Sequence, residues 1–167
     1  MRNKNVQRVA LSGLLMSLML VFGFIERQFP LPGPPGIKLG LANSVLLYAL
    51  YMLGIKQAVV LMLLKVLMNG LLFSGMSAML YSFSGSVLSL LVMILVSRVK
   101  SVSTIGVSVM GAVFFNVGQV LMAVYVVGTP QLLTTYLPVL MVVGVLTGVL
   151  TGVIAQMVMK HLRHMKG

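Results

Sequence analysis

Glu26 is the single acidic side chain of this chain, which contains no aspartate and no cysteine. Without clustered carboxylates there is no oxygen ligand set for Mg²⁺ or Ca²⁺ and no carboxylate pair for general acid–base catalysis. Without thiols there is no disulfide and no thiolate metal site. His161 and His164 lie in a basic tail, KHLRHMKG, and read as solvated groups rather than metal ligands. The sequence contains no phosphate-cradling glycine loop and no Ser-His-Asp set. The chemistry left is that of binding, with no cofactor and no metal implied. Lys65, Asn69, Asn43, Asn116 and Gln119 stand inside long apolar runs, and Glu26 and Lys38 lie at the edges of two others. A cation at the centre of a bilayer costs roughly 2.5 to 3.5 kcal/mol, so Lys65 is expected to contact a ligand; the alternative is a structural pairing with Glu26 or a carbonyl. For each amide the alternative is a hydrogen bond to a neighbouring helix, worth about 1 kcal/mol.

The elements that position these residues are membrane spans. Hydrophobic residues make up 59% of the chain and charged ones only 8%, against about 25% charged in a soluble domain. There is too little polar surface for a water-exposed fold. A span needs about 20 mostly apolar residues, and such runs predict a single all-α membrane domain of six helices. They cover residues 8–27, 39–53, 58–73, 78–96, 104–127 and 136–159. The first run is too long for the apolar part of a signal peptide and reads as a span. It stops at FPLPGPPG, whose prolines and glycines cannot continue a helix. The other breaks fall at GIKQ (54–57), SGMS (74–77), RVKSVS and GTP.

Basic residues give the expected orientation. The side holding both termini collects Arg2, Lys4, Arg8, Lys56, Arg98, Lys100, Lys160, Arg163 and Lys166, and the other side only Arg27 and Lys38. Short loops rich in Lys and Arg stay in the cytoplasm, so both termini are expected there, with the protein in the cell membrane. The net charge of +11 falls in clusters between apolar runs, which fits anionic lipid headgroups and not nucleic acid. On this topology Asn43, Asn69 and Gln119 lie in the outer half of the membrane, and Lys65 and Asn116 form the floor beneath them. The expected result is a polar pocket open to the outside, with the Pro-rich loop from Gln28 to Lys38 as its lid. Glu26 is a candidate counter-ion, or else one half of an exposed ion pair with Arg27.

Small residues mark packing faces. Gly144, Gly148 and Gly152 recur every fourth position in GVLTGVLTG, a stripe that lets another helix approach closely. Ala10, Gly13 and Ser17 form a weaker stripe on the first helix. The methionines are expected to fill gaps and lipid-facing surface.

Three motifs carry a family resemblance: PGIKLGLAN (Pro35 to Asn43), LLKVLMNGLLFSG (Leu63 to Gly75) and AVFFNVGQ (Ala112 to Gln119). Together they resemble the small bacterial membrane family labelled both heptaprenyl diphosphate synthase component I and Gx transporter. That family is similar to the substrate-binding S components of energy-coupling-factor transporters. The resemblance implies a non-enzymatic six-helix subunit with an outward site closed by its first loop. Its partners would be a small-molecule substrate, a coupling membrane subunit and ATPase subunits. Two positions depart from the family pattern. Lys65 stands where arginine is common, and Phe115 stands where histidine is frequent. The AxxxA docking motif of S components is matched only loosely, by Gly13 and Ser17. Prenyl diphosphate synthesis needs clustered aspartates that this chain lacks, so the synthase label fits a noncatalytic membrane accessory.

Overall fold

The computed structural model describes residues 4–28, 38 and 40–164 of the chain. Among them there is no strand. Helix α1 spans Lys4–Gln28, α2 Ala42–Leu53 and α3 Ile55–Asn69, which continues as a π-helical turn over Gly70–Ser74. Then come α4 (Gly75–Ser97), α5 (Thr104–Val127), a one-turn α6 (Gln131–Thr135) and α7 (Leu137–His164). Helices are the only open-ended elements that satisfy every backbone group without water. The chain is multi-pass: five of its helices are long and apolar enough to cross a membrane. The pattern of exposure is inverted relative to a water-soluble core. Leu71 is 73% exposed and Tyr125 85%, while Asn116 and Gln119 are fully buried.

The expected second span, residues 39–53, is the exception. α2 has 12 residues, about 18 Å at 1.5 Å per residue, against a hydrocarbon core of about 30 Å. It is an inner helix that does not cross alone, and most of its residues are buried. The connections predicted at GIKQ and SGMS shrink to single glycines. Gly54 (φ +90°) and Gly75 (φ +76°) turn the chain between consecutive helices in a conformation that L side chains avoid. The fifth span matches its expected limits because both ends are signalled. Ser103 caps the start by accepting from the Gly106 N–H at 3.1 Å, and Gly128 ends it in the left-handed conformation.

α1 and α3 run parallel, since Gly23 lies against Asn69 and Arg27 donates to the Phe73 carbonyl, with the short α2 returning the chain between them. α3, α4, α5 and α7 then alternate in direction, so the start of α1 and the end of α7 lie on one face of the bundle; we call it the termini face and the opposite one the loop face. α5 is the central element, packed on α4 and α7. The α7 stripe faces α5. A Cβ on Gly148 would sit 2.6 Å from Val109 Cα, and one on Gly152 2.9 Å from Ile105 Cα. Beside them Ser108 and Thr151 share a hydroxyl–hydroxyl hydrogen bond of 3.0 Å. The smaller stripe on α1 meets no helix of this chain: Ala10, Gly13 and Ser17 are exposed, and a Cβ on Gly13 would touch nothing within 4 Å.

Candidate functional site

Lys65 sits at the junction of four helices. α3 carries it inward, where it is only 5% exposed. Its ammonium donates to Asn43 Oδ1 on α2 at 2.7 Å and to Ser86 Oγ on α4 at 3.3 Å. It also stands 5.3 Å from the centroid of the Phe115 ring on α5. Lys65 therefore does not reach toward lipid. Its charge is held by two polar oxygens and an aromatic face, an arrangement that lowers the cost of burying it.

Around this cation the polar groups are only partly satisfied. Asn69, one turn further along α3, donates through Nδ2 to the Lys65 carbonyl at 3.0 Å. Its Oδ1 has no partner, and neither do Asn43 Nδ2 and Ser82 Oγ, all in buried residues. Buried polar atoms are almost always paired. Of four orphans among the described residues, three belong to residues that bond Lys65 or line its cavity, and the fourth, Ser89 Oγ, lies one turn beyond Ser86 on α4. Asn69 Oδ1 points at α1, where Gly23 leaves it room: a Cβ there would lie 1.9 Å from that oxygen. Lys65, Asn69, Ser82, Gly23, Glu26 and Lys38 help to line a cavity of about 10 Å³, about the room that one water needs. The expected pocket is thus small in this conformation, a chamber largely filled by its own side chains.

Lys38 and Leu41, ahead of α2, roof the chamber. Non-helical backbone packed among membrane helices must be satisfied by protein groups or water. Two side chains do so. The Lys38 N–H donates to Gln119 Oε1 at 3.0 Å, and Gln119 Nε2 donates back to the Lys38 carbonyl at 2.9 Å. The Leu41 N–H, at the start of α2, donates to the Glu26 carboxylate. The one acid of the chain is therefore an N-terminal cap, placed where a negative charge also favours the helix dipole. It is not an exposed partner of Arg27. Arg27 donates instead to the Phe73 carbonyl in the π-helical turn, and Phe24 packs edge-on against Phe73 with centroids 5.8 Å apart. Burial pushes the Lys38 ammonium below its usual range; nearby Glu26 opposes the shift and Arg27 adds to it. Residues 29–37 and 39, most of the loop expected to form a lid, lie outside the described residues.

Asn116 does not belong to the floor of the chamber. It donates to the Leu140 carbonyl of α7 at 2.6 Å, beside Gly144, and receives a long contact of 3.4 Å from Gln119. One residue of helix turns a side chain by about 100°, so Phe115 meets Lys65 while Asn116 meets α7. Four positions that sequence reasoning missed complete the site: Ser82, Ser86, Phe115 and Gly23. The α4 serines left a legible trace, because Ser82, Gly85, Ser86 and Ser89 recur at three- and four-residue spacing and form one small polar face. Gly23 left none, and Phe115 stood out only as a departure from the family pattern.

The donor set does not suit a divalent metal. Among the described residues no group of three His, Cys, Asp or Glu comes together, and Glu26 is already committed to α2. What the arrangement offers is a fixed cation with amide and hydroxyl groups beside it, next to the Lys38 and Leu41 backbone held by Gln119 and Glu26. No curated protein and no solved structure matches the chain. Residues 15–158 match the family described as heptaprenyl diphosphate synthase component I; with its helical membrane architecture and its lone capping carboxylate, the chain belongs to that family.

Proposed function

We propose that the chain is a noncatalytic substrate-holding membrane subunit, similar in kind to the S components of energy-coupling-factor transporters. It takes a small anionic or amide-bearing precursor at Lys65. The observation that carries this reading is the buried ammonium ringed by three unpaired polar atoms: Asn43 Nδ2, Asn69 Oδ1 and Ser82 Oγ. A purely structural core would be expected to pair them, because each unpaired buried group costs roughly 1 to 3 kcal/mol. A chamber of about 10 Å³ admits no such ligand while closed. Entry therefore requires the Lys38–Leu41 roof to lift, which breaks the Gln119 and Glu26 contacts. The excess of basic residues on the termini face supports a cytoplasmic location for that face, so the roof would face outward. Release would follow reorientation against a coupling subunit driven by ATPases on other chains. The test is Lys65→Met, which keeps the length and removes the charge. It should abolish ligand retention and uptake with the fold intact; normal uptake would refute the assignment.

A second reading has the family description in its favour: a membrane accessory to a soluble prenyl diphosphate synthase. The single Glu and the absence of Asp require that the Mg²⁺-dependent chemistry reside on the partner. Affinity purification from native membranes separates the two. Recovery of an ATPase module supports the first reading, and recovery of an Asp-rich soluble synthase the second.

A further inference from the structure

We infer that the bundle carries a dedicated site for one anionic glycerophospholipid, seated in the groove between α1 and α7 with its headgroup at the termini face. Those two helices do not touch among the described residues. They stand on either side of the short α2, and the gap is a groove of about 610 Å³. Leu11 and Phe22 mark its α1 wall, Thr151 and Val158 its α7 wall, and Val45 and Tyr48 its floor.

Shape and charge identify the occupant. From Leu11 to Phe22 the α1 wall runs about 16 Å at 1.5 Å per residue, about half of a hydrocarbon core of about 30 Å. Toward the start of α1 and the end of α7 each wall presents an exposed cation just beyond its lining residues: Arg8 three positions before Leu11, and Lys160 two positions after Val158. Arg8, Leu11, Leu15, Leu18 and Phe22 follow one another at three- and four-residue spacing, so the cation continues the apolar stripe. An apolar slot with two cations at its mouth fits an acyl chain below a phosphate-bearing headgroup.

The absence of tryptophan makes the test direct. Single tryptophans replace Leu14 or Met157, both 66% exposed on the groove walls, or Met110, 38% exposed on α5, as the control. Each variant is reconstituted in bilayers containing brominated phosphatidylglycerol or brominated phosphatidylcholine. The groove tryptophans should report a preference of roughly fivefold for the anionic lipid, the size expected for one basic side chain near the surface. Arg8→Gln with Lys160→Gln should abolish it, and Met110→Trp should show none. Equal quenching by the two lipids, a preference indifferent to the double substitution, or the same preference at Met110 would overturn the site. So would displacement of the brominated phosphatidylglycerol by a polyprenyl diphosphate at stoichiometric amounts, which would assign the groove to an isoprenoid.

Discussion

Replacing Gln119 by Leu should unlatch the chamber while leaving the bundle standing. The side chain keeps nearly its volume on the buried face of α5, but its two hydrogen bonds with Lys38 disappear. The Lys38 N–H and C=O then lose the Gln119 amide in the closed form. A buried hydrogen bond contributes roughly 1 kcal/mol net, so losing two weakens closure by about 2 kcal/mol, a change of roughly 30-fold in the open population. Ala42 is the reporter, since it lines the chamber and is 2% exposed. The chain has no cysteine, so Ala42→Cys gives a single thiol whose reaction with a small water-soluble reagent counts openings. Reactivity should be low in the Gln119 background and rise roughly 30-fold with Gln119→Leu, with the thermal midpoint nearly unchanged. Equal reactivity in the two backgrounds would mean that Gln119 is only packing, and the latch argument would fail.

Further outcomes follow from the same contacts. Gly23→Ala forces its new methyl onto Asn69 Oδ1; ligand retention should be lost for a stability cost of about 1 to 3 kcal/mol, typical of overpacking, as a binding assay and a thermal melt on one sample would show. Gly148→Ala meets the backbone of Val109, whereas Gly144→Ala first meets the Asn116 amide and Gly13→Ala meets nothing. Thermal midpoints should fall most for the first and not at all for the third, and any other order would contradict the α5–α7 seam. At the roof, Glu26→Gln still offers an acceptor to the Leu41 N–H but Glu26→Leu offers none, so Ala42→Cys reactivity should rise modestly in one and strongly in the other. Because burial lowers the Lys38 value, closure disfavours the charged form. The penalty is fully present below the lowered value and fades as pH rises from there toward the ordinary lysine value of 10.5. Protection of Ala42→Cys, measured against an exposed cysteine at each pH, should therefore grow with alkalinity and become pH-independent in Lys38→Met.

The membrane class and the passage of the long helices were legible because apolar length is a strong signal and lipid leaves few alternatives. Span five was legible to both ends, since Ser103 and Gly128 punctuate it. The inward placement of Lys65 followed from its position near mid-helix, too far from either interface to be solvated. Facing directions were much less legible. In a soluble helix an apolar stripe shows which side is buried; here lipid-facing and core-facing sides are both apolar, and the polar residues alone had to orient each helix. That misassigned Asn116, whose neighbour Phe115 meets the lysine. It also cast Gln119 and Glu26 as ligands, although each satisfies the backbone entering α2. The short α2 was missed because its apolar run continues through Leu39 and Leu41, which precede the helix.

The claim on which the account depends is that Lys65 holds a polar guest in a chamber that opens. Native mass spectrometry of the protein extracted gently from its own membranes tests this most directly. The account predicts a bound small molecule of defined mass on the unaltered chain, absent from Lys65→Met prepared in the same way with the same helix content. A Lys65→Met chain that keeps the same adduct, or an unaltered chain that never carries one, would contradict it.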